Sequence, residues 1–291
     1  MKAFKSIRRS IAISSFMLVP AMEAVSRADT VVVTPSNMNG WTLNSFDDNG
    51  NIVSSGPYDG TAAMATGPAT PPLGVGSAHL ATPVGAGDGA AAIATEGYDG
   101  TPLTAITALS YSTYDVTNNG QQFPYMAVSI NTGAVDLSGD AGALANTTDT
   151  LFFEPPYQEP ATGNPGLPDQ GATAQNEWQQ WNAYVGGYWD NDGVASPGTG
   201  VMSLSTFQTD FPDATIANGG FAGLGGIAMQ VGFGSSGETE DGYVDAFTIG
   251  VGGVNTTYDF EPNAVPEPAS MGLLVVGGGA ALMRRRRRAC I

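Results

Sequence analysis

Apolar and polar residues alternate with a period of two at several places along the chain, and each such place reads as a strand with one buried face. Ile227, Met229, Val231 and Phe233 alternate with Ala228, Gln230 and Gly232. Met126, Val128 and Ile130 alternate in the same way with Tyr125, Ala127 and Ser129. Residues 109–114 have the Tyr and Thr usage of a strand, 151–154 form another stopped by Pro155 and Pro156, and 243–251 form the last long one. Nearer the start, 31–33 is a β-branched run ended by Thr34 and Pro35, and 77–80 is a short strand within a stretch rich in Gly, Ala, Pro and Thr. One segment breaks the period: Leu204, Phe207 and Phe211 share a helical face, and Pro212 ends a predicted helix over 203–211. Short strands, one short helix and no heptads predict a mainly β fold, an antiparallel β-sandwich of jelly-roll type. The 40 glycines and 19 prolines fit many turns and few long helices.

The two ends follow different rules. In residues 1–28 the basic Lys2, Lys5, Arg8 and Arg9 precede an apolar run at 11–19, and Ser26 and Ala28 are small residues at the positions a signal peptidase reads. The apolar run is too short for a membrane anchor, so a signal peptide cut between Ala28 and Asp29 is expected. The adjacent Arg8 and Arg9 match the twin-arginine route, but such a pair in a basic region is more often only charge. Residues 265–291 hold the triplet Pro266, Glu267 and Pro268, an apolar span at 269–283, and the block Arg284, Arg285, Arg286, Arg287 and Arg288. Pro-Glu-Pro cannot enter a helix or a central strand, so it stays extended. The arginines act as a positive-inside stop. The span is short for a transmembrane helix, and Gly277 to Gly279 weaken it. In order and position, triplet, span and arginines resemble the PEP-CTERM sorting signal, carried by substrates of exosortase, a membrane transpeptidase-like enzyme of Gram-negative bacteria that make extracellular polysaccharide. The resemblance implies a C-terminal transmembrane sorting helix, a transient stay in the inner membrane, and processing towards the cell surface or the extracellular matrix.

Charge separates the body from its ends. All 10 Lys and Arg lie before residue 28 or at 284–288, so 29–264 contains neither. All but Glu23 and Glu267 of the 27 Asp and Glu lie in that body. Acids without cations keep a chain soluble and work against nucleic-acid and anionic-membrane binding. They favour saline or divalent-rich surroundings, where repulsion is screened. A body of this length suits one large β domain, with two small domains as the alternative. The single cysteine, Cys290, is in the tail, so the body has neither disulfide nor thiolate metal site.

Candidate chemistry is sparse. His79 is the sole histidine, with no Gly-x-Ser-x-Gly or His-x-x-x-His pattern beside it, which disfavours the common hydrolase and zinc chemistries. It reads as a polar residue on the outer face of a strand. Trp178, Trp181, Tyr184, Tyr188 and Trp189 crowd into one segment. Flat rings stack on the C–H faces of sugars, and Glu177, Asn182, Asp190 and Asp192 could accept hydroxyl hydrogen bonds; the competing reading is that the rings fill the core. Asp190 with Asp192, and Asp241 with Asp245, are candidate Ca²⁺ ligands, against solvated turn acids. Asp47, Asn49 and Asn51 have alternate calcium-loop spacing but no closing Glu, and read as a hairpin turn. A glycosidase needs two carboxyl groups about 5 to 9 Å apart, and the densest cluster, Glu238, Glu240 and Asp241, follows a Gly/Ser turn.

Residues 95–103, 109–112, 177–181, 186–189 and 242–250 together resemble a concanavalin-like or laminin-G-like sandwich of exported bacterial proteins. The expected function is that of a non-catalytic surface or matrix protein whose body binds polysaccharide; the alternative is a secreted glycan-cleaving hydrolase. Expected partners are signal peptidase, an exosortase-type enzyme and extracellular polysaccharide.

Overall fold

The alternating segments bury their apolar sides against each other, and this sorts them into two stacked sheets. The computed structural model describes residues 29–47, 49–53, 59–82, 89–118, 122–133, 147–159, 166–190, 201–219, 224–233 and 239–263. The chain begins with β1 (Asp29–Val33), β2 (Trp41–Phe46), β3 (Ile52–Val53), β4 (Thr61–Thr66), β5 (Gly76–Ala81) and β6 (Ala90–Thr95). Then come β7 (Ile106–Thr117), β8 (Tyr125–Asn131), β9 (Thr148–Phe153), β10 (Trp178–Trp181) and β11 (Gly187–Asp190). The last part holds β12 (Met202–Ser203), helix α1 (Leu204–Asp210), β13 (Thr215–Ile216), β14 (Ile227–Val231), β15 (Asp241–Val251) and β16 (Val254–Phe260).

The first sheet has seven strands around β15. β7 lies along one flank of β15; the other flank pairs with β5 at residues 241–244 and with β16 at 247–251. The change of partner falls at a bulge where Ala246 takes φ 53°. There the Asp245 carboxylate accepts the backbone N–H of Phe260 at 3.2 Å and of Leu73 at 3.0 Å, closing the gap between β5 and β16. β4 and β10 extend the sheet beyond β5 and β7. The second sheet has nine strands, with the main path β12-β11-β9-β8-β14-β6-β2-β3 and β13 beside β8.

Facing sides of the two sheets share one core. Trp41 of β2 meets Phe247, Tyr258 and Phe260 of β15 and β16 edge-on, at centroid distances of 5.3, 5.2 and 5.1 Å. Tyr111 of β7 meets Phe153 of β9 at 5.9 Å. These contacts join the layers into a β-sandwich-like body.

The strands expected at 109–114, 125–130, 151–154, 227–233 and 243–251 are present, but those expected at 151–154 and 227–233 stop at Phe153 and Val231, and Phe233 takes φ 61°. The helix is present too: the Ser203 hydroxyl accepts the Thr206 N–H at 3.1 Å as N-cap, and Leu204 and Phe207 enter the core. The expectation of purely antiparallel pairing is corrected, because β1 lies parallel to β16. A parallel neighbour needs a long crossover, and here the whole intervening body is the connection. β4 also stands within the stretch rich in Gly, Ala, Pro and Thr, and β6 directly after it, neither marked by alternation.

Asp29 opens β1, whereas Ala28, the signal peptide and the whole tail, with Pro266, Glu267, Pro268 and Arg284 to Arg288, lie outside the described residues. Among the described residues no helix is long and apolar enough to cross a membrane.

Candidate functional site

The outer face of the first sheet holds a groove of about 500 Å³. Its floor is Thr107 to Ser110 of β7 with Thr248 of β15 and Asn255 of β16; its wall is Gln170, Gln180, Asn182 and Tyr184. None of these residues is charged, although the chain carries a net charge of −17. Gln180 and Asn182 are exposed and Tyr184 is half-buried.

Local bonding sets this geometry. The Gln170 amide accepts the Asn182 N–H at 2.7 Å and donates to the Asn182 carbonyl at 3.2 Å, which fixes the wall. Tyr184 is tied to the floor by its N–H, given to the Leu109 carbonyl at 2.9 Å. The Thr248 and Thr257 hydroxyls bond each other at 2.8 Å. A Cβ on Gly250 would collide with Asn255 Oδ1 and approach Thr107 Oγ1 to 2.8 Å, so glycine keeps the floor open. Among the described residues, the side chains of Gln180, Asn182 and Asn255 and the hydroxyls of Ser110 and Tyr184 bond to no protein group. They present donors and acceptors together, as hydroxyl-rich ligands require.

The aromatic segment is divided by strand parity. Trp181 and Tyr188 are fully buried core residues; Trp181 donates its indole N–H to Thr113 Oγ1 at 2.8 Å, and Tyr188 its hydroxyl to the Ala183 carbonyl at 2.9 Å. Trp178 is half-buried on the outer side of the first sheet, and half-buried Tyr184, between β10 and β11, lines the groove and also packs against the main core. Trp189 belongs to the other sheet, stacked on Phe152 at 4.2 Å, with its N–H on Glu154 Oε1 at 3.0 Å. Burial pushes the Glu154 carboxyl up to about 7.

The candidate calcium ligands are dispersed. Asp241 and Asp245 lie on β15, Asp190 closes β11 in the other sheet, and Asp192 lies outside the described residues. Asp241 Oδ1 bonds His79 Nε2 at 2.8 Å, and both oxygens of buried Asp245 already accept backbone N–H groups. Among the described residues no group of three or more His, Cys, Asp or Glu side chains is arranged to hold a metal ion. Of the carboxyls considered for hydrolysis, Glu240 is 1% exposed and accepts the Gly232 N–H at 3.2 Å, while Glu238 lies outside the described residues.

Gln170, Ser110, Thr248 and Asn255 escape sequence reading because isolated amides and hydroxyls carry no motif. Strand register brings Ser110, Thr248 and Asn255 together, and hydrogen bonds to Asn182 place Gln170 beside them. Comparison of the chain with models of known protein families and with curated proteins returns no match in either.

Proposed function

We propose that the chain is an exported bacterial surface or matrix protein, sorted by its PEP-CTERM-like tail, whose body binds neutral extracellular polysaccharide without cleaving it. The observation that carries the binding reading is the uncharged, amide- and hydroxyl-lined groove on an otherwise strongly acidic chain. A neutral sugar brings no charge to repel, and its hydroxyls match the side chains of Gln180, Asn182 and Asn255, which have no protein partner among the described residues. Cleavage is not proposed, since a glycosidase needs two carboxyl groups about the scissile bond and the described groove lining offers none.

Affinity electrophoresis in gels cast with neutral glucans, mannans or xylans tests the reading, with and without millimolar calcium. Retardation without release of reducing ends is expected, and Gly250→Val, which fills the floor, is expected to abolish it. Free migration in every gel would overturn the binding reading; new reducing ends would replace it with hydrolysis. The sorting part is checked separately. A mass spectrum of the exported protein should lack residues 1–28 and 269–291, and a mature chain that keeps the tail would argue for permanent anchoring.

A further inference from the structure

We infer that the groove is one end of a longer path across the outer face, and that its ligand is an extended, neutral glycan of several sugars. This rests on the polysaccharide-binding reading above. Strand register sets His79 of β5, Tyr243 of β15, Tyr114 of β7 and Trp178 of β10 side by side. Ala78, Leu80 and Val244, their immediate neighbours in sequence, belong to the inter-sheet core, as do Tyr111 and Trp181 at odd spacing from Tyr114 and Trp178. The four rings therefore project from the opposite face. His79 stacks on Tyr243 at 4.5 Å, Tyr243 meets Tyr114 at 6.4 Å, and Tyr114 meets Trp178 at 5.6 Å. With strands about 4.8 Å apart, the row is about 14 Å long.

Tyr114 is largely covered by its neighbours, while His79, Tyr243 and Trp178 are half-buried and so present part of their surface to solvent. Trp178 is held in place by its N–H, given at 3.0 Å to the carbonyl of Pro68 in the β4–β5 loop. A ring fixed before binding loses little freedom on contact. On β10, Trp178 and Gln180 share a face, and Gln180 lines the groove, so row and groove meet there. At the far end the Asp241 carboxylate bonds His79, and no Lys or Arg exists between residues 29 and 264 to receive a uronate or sulfate. Stacking rings, free amides and this charge pattern select a neutral chain. The competing explanation is cross-strand ring packing that serves the sheet alone.

Calorimetric titration of the exported protein separates the two. The probes are neutral gluco-, manno- and xylo-oligosaccharides of two to six sugars, with oligogalacturonides of equal lengths. In at least one neutral series the affinity should rise about tenfold or more from the shortest to the longest member, two to ten times for each ring engaged, and the acidic series should not bind. Tyr243→Ala and His79→Ala should flatten that rise, whereas Tyr243→Phe, which keeps the ring, should preserve it; circular dichroism confirms that each variant is folded. Neutral sugars that bind equally at every length, or a rise that survives both alanine variants, would overturn the row while leaving the groove reading intact. Oligogalacturonides binding as well as neutral sugars would overturn the ligand class. Absence of binding in every series would overturn both readings together.

Discussion

Trp181 is fully buried with its indole N–H satisfied by Thr113, whereas Trp178, three residues earlier on the same strand, keeps part of its ring in solvent and bonds the Pro68 carbonyl. Replacing Trp181 by Ala opens a large hole between the sheets and strands the Thr113 hydroxyl, so the expected loss is about 3 to 5 kcal/mol. Trp178→Ala removes a half-covered ring and one hydrogen bond, for an expected loss below about 2 kcal/mol. Urea unfolding of the two variants checks the contrast, and equal losses would mean that the outer ring is as structural as the inner one. Composition could not have separated them. An odd spacing puts two residues of one strand on opposite faces, but that rule assigns neither face until the pairing partner is known. The same parity divides Tyr188 from Trp189, one in the core and the other stacked on Phe152. The aromatic cluster was therefore legible as a cluster, and its division was not.

Elements were legible where large apolar residues alternated with small or polar ones, even in β8 and β14, which are buried on both faces. β8 and β15 alternate, and the spacing of Leu204, Phe207 and Phe211 marks α1. β6 is covered on both sides: Ala91 and Ile93 enter the main core, while Ala90, Ala92 and Ala94 pack under Phe46 and Leu224. With four alanines and one isoleucine in its first five positions, β6 has no large and small residues in alternation, and alanine has little strand propensity of its own. That is why 90–95 carried no strand signal, whereas 77–80 stood out as a strand within the Gly- and Ala-rich stretch before it. The small side chains are themselves a constraint, so Ala92→Leu is expected to cost about 1 to 3 kcal/mol through overpacking. In α1, which has only 7 residues, the cap carries much of the local stability. Ser203→Ala should cost about 1 kcal/mol by freeing the Thr206 N–H, read as a lower thermal midpoint. An unchanged midpoint in either variant would show that its element tolerates more than its packing or capping suggests.

For the whole molecule the decisive fact is that carboxyl groups are buried in a body without Lys or Arg. Burial raises Asp245 to about 7, Asp115 to about 6, and Asp259 to about 6 with Glu261 adding to it; Glu154 also stands at about 7. Each folded value lies above the ordinary 3.8 or 4.5 of an unfolded carboxyl, so between about pH 4 and 7 the folded chain holds more protons than the unfolded one. Stability from these groups is therefore complete below the unfolded values and is lost as pH rises through the folded ones. Asp47, held low by Asn51, pulls the other way as a single loop group. General repulsion among the acids adds to the fall, since it too grows with ionisation. The thermal midpoint is thus expected to be higher at pH 5 than at pH 8, the reverse of a protein stabilised by salt-bridged carboxylates. Molar sodium chloride should restore part of the difference at pH 8 and change little at pH 5, because only the repulsive part is screened. Glu154→Gln keeps an acceptor for the Trp189 N–H but cannot ionise, so it should narrow the gap between the two pH values. Midpoints followed by circular dichroism from pH 4 to pH 8 decide the matter. A midpoint that climbs with pH would mean that the buried acids are compensated by a bound cation, and calcium chelation would then be the step that lowers it.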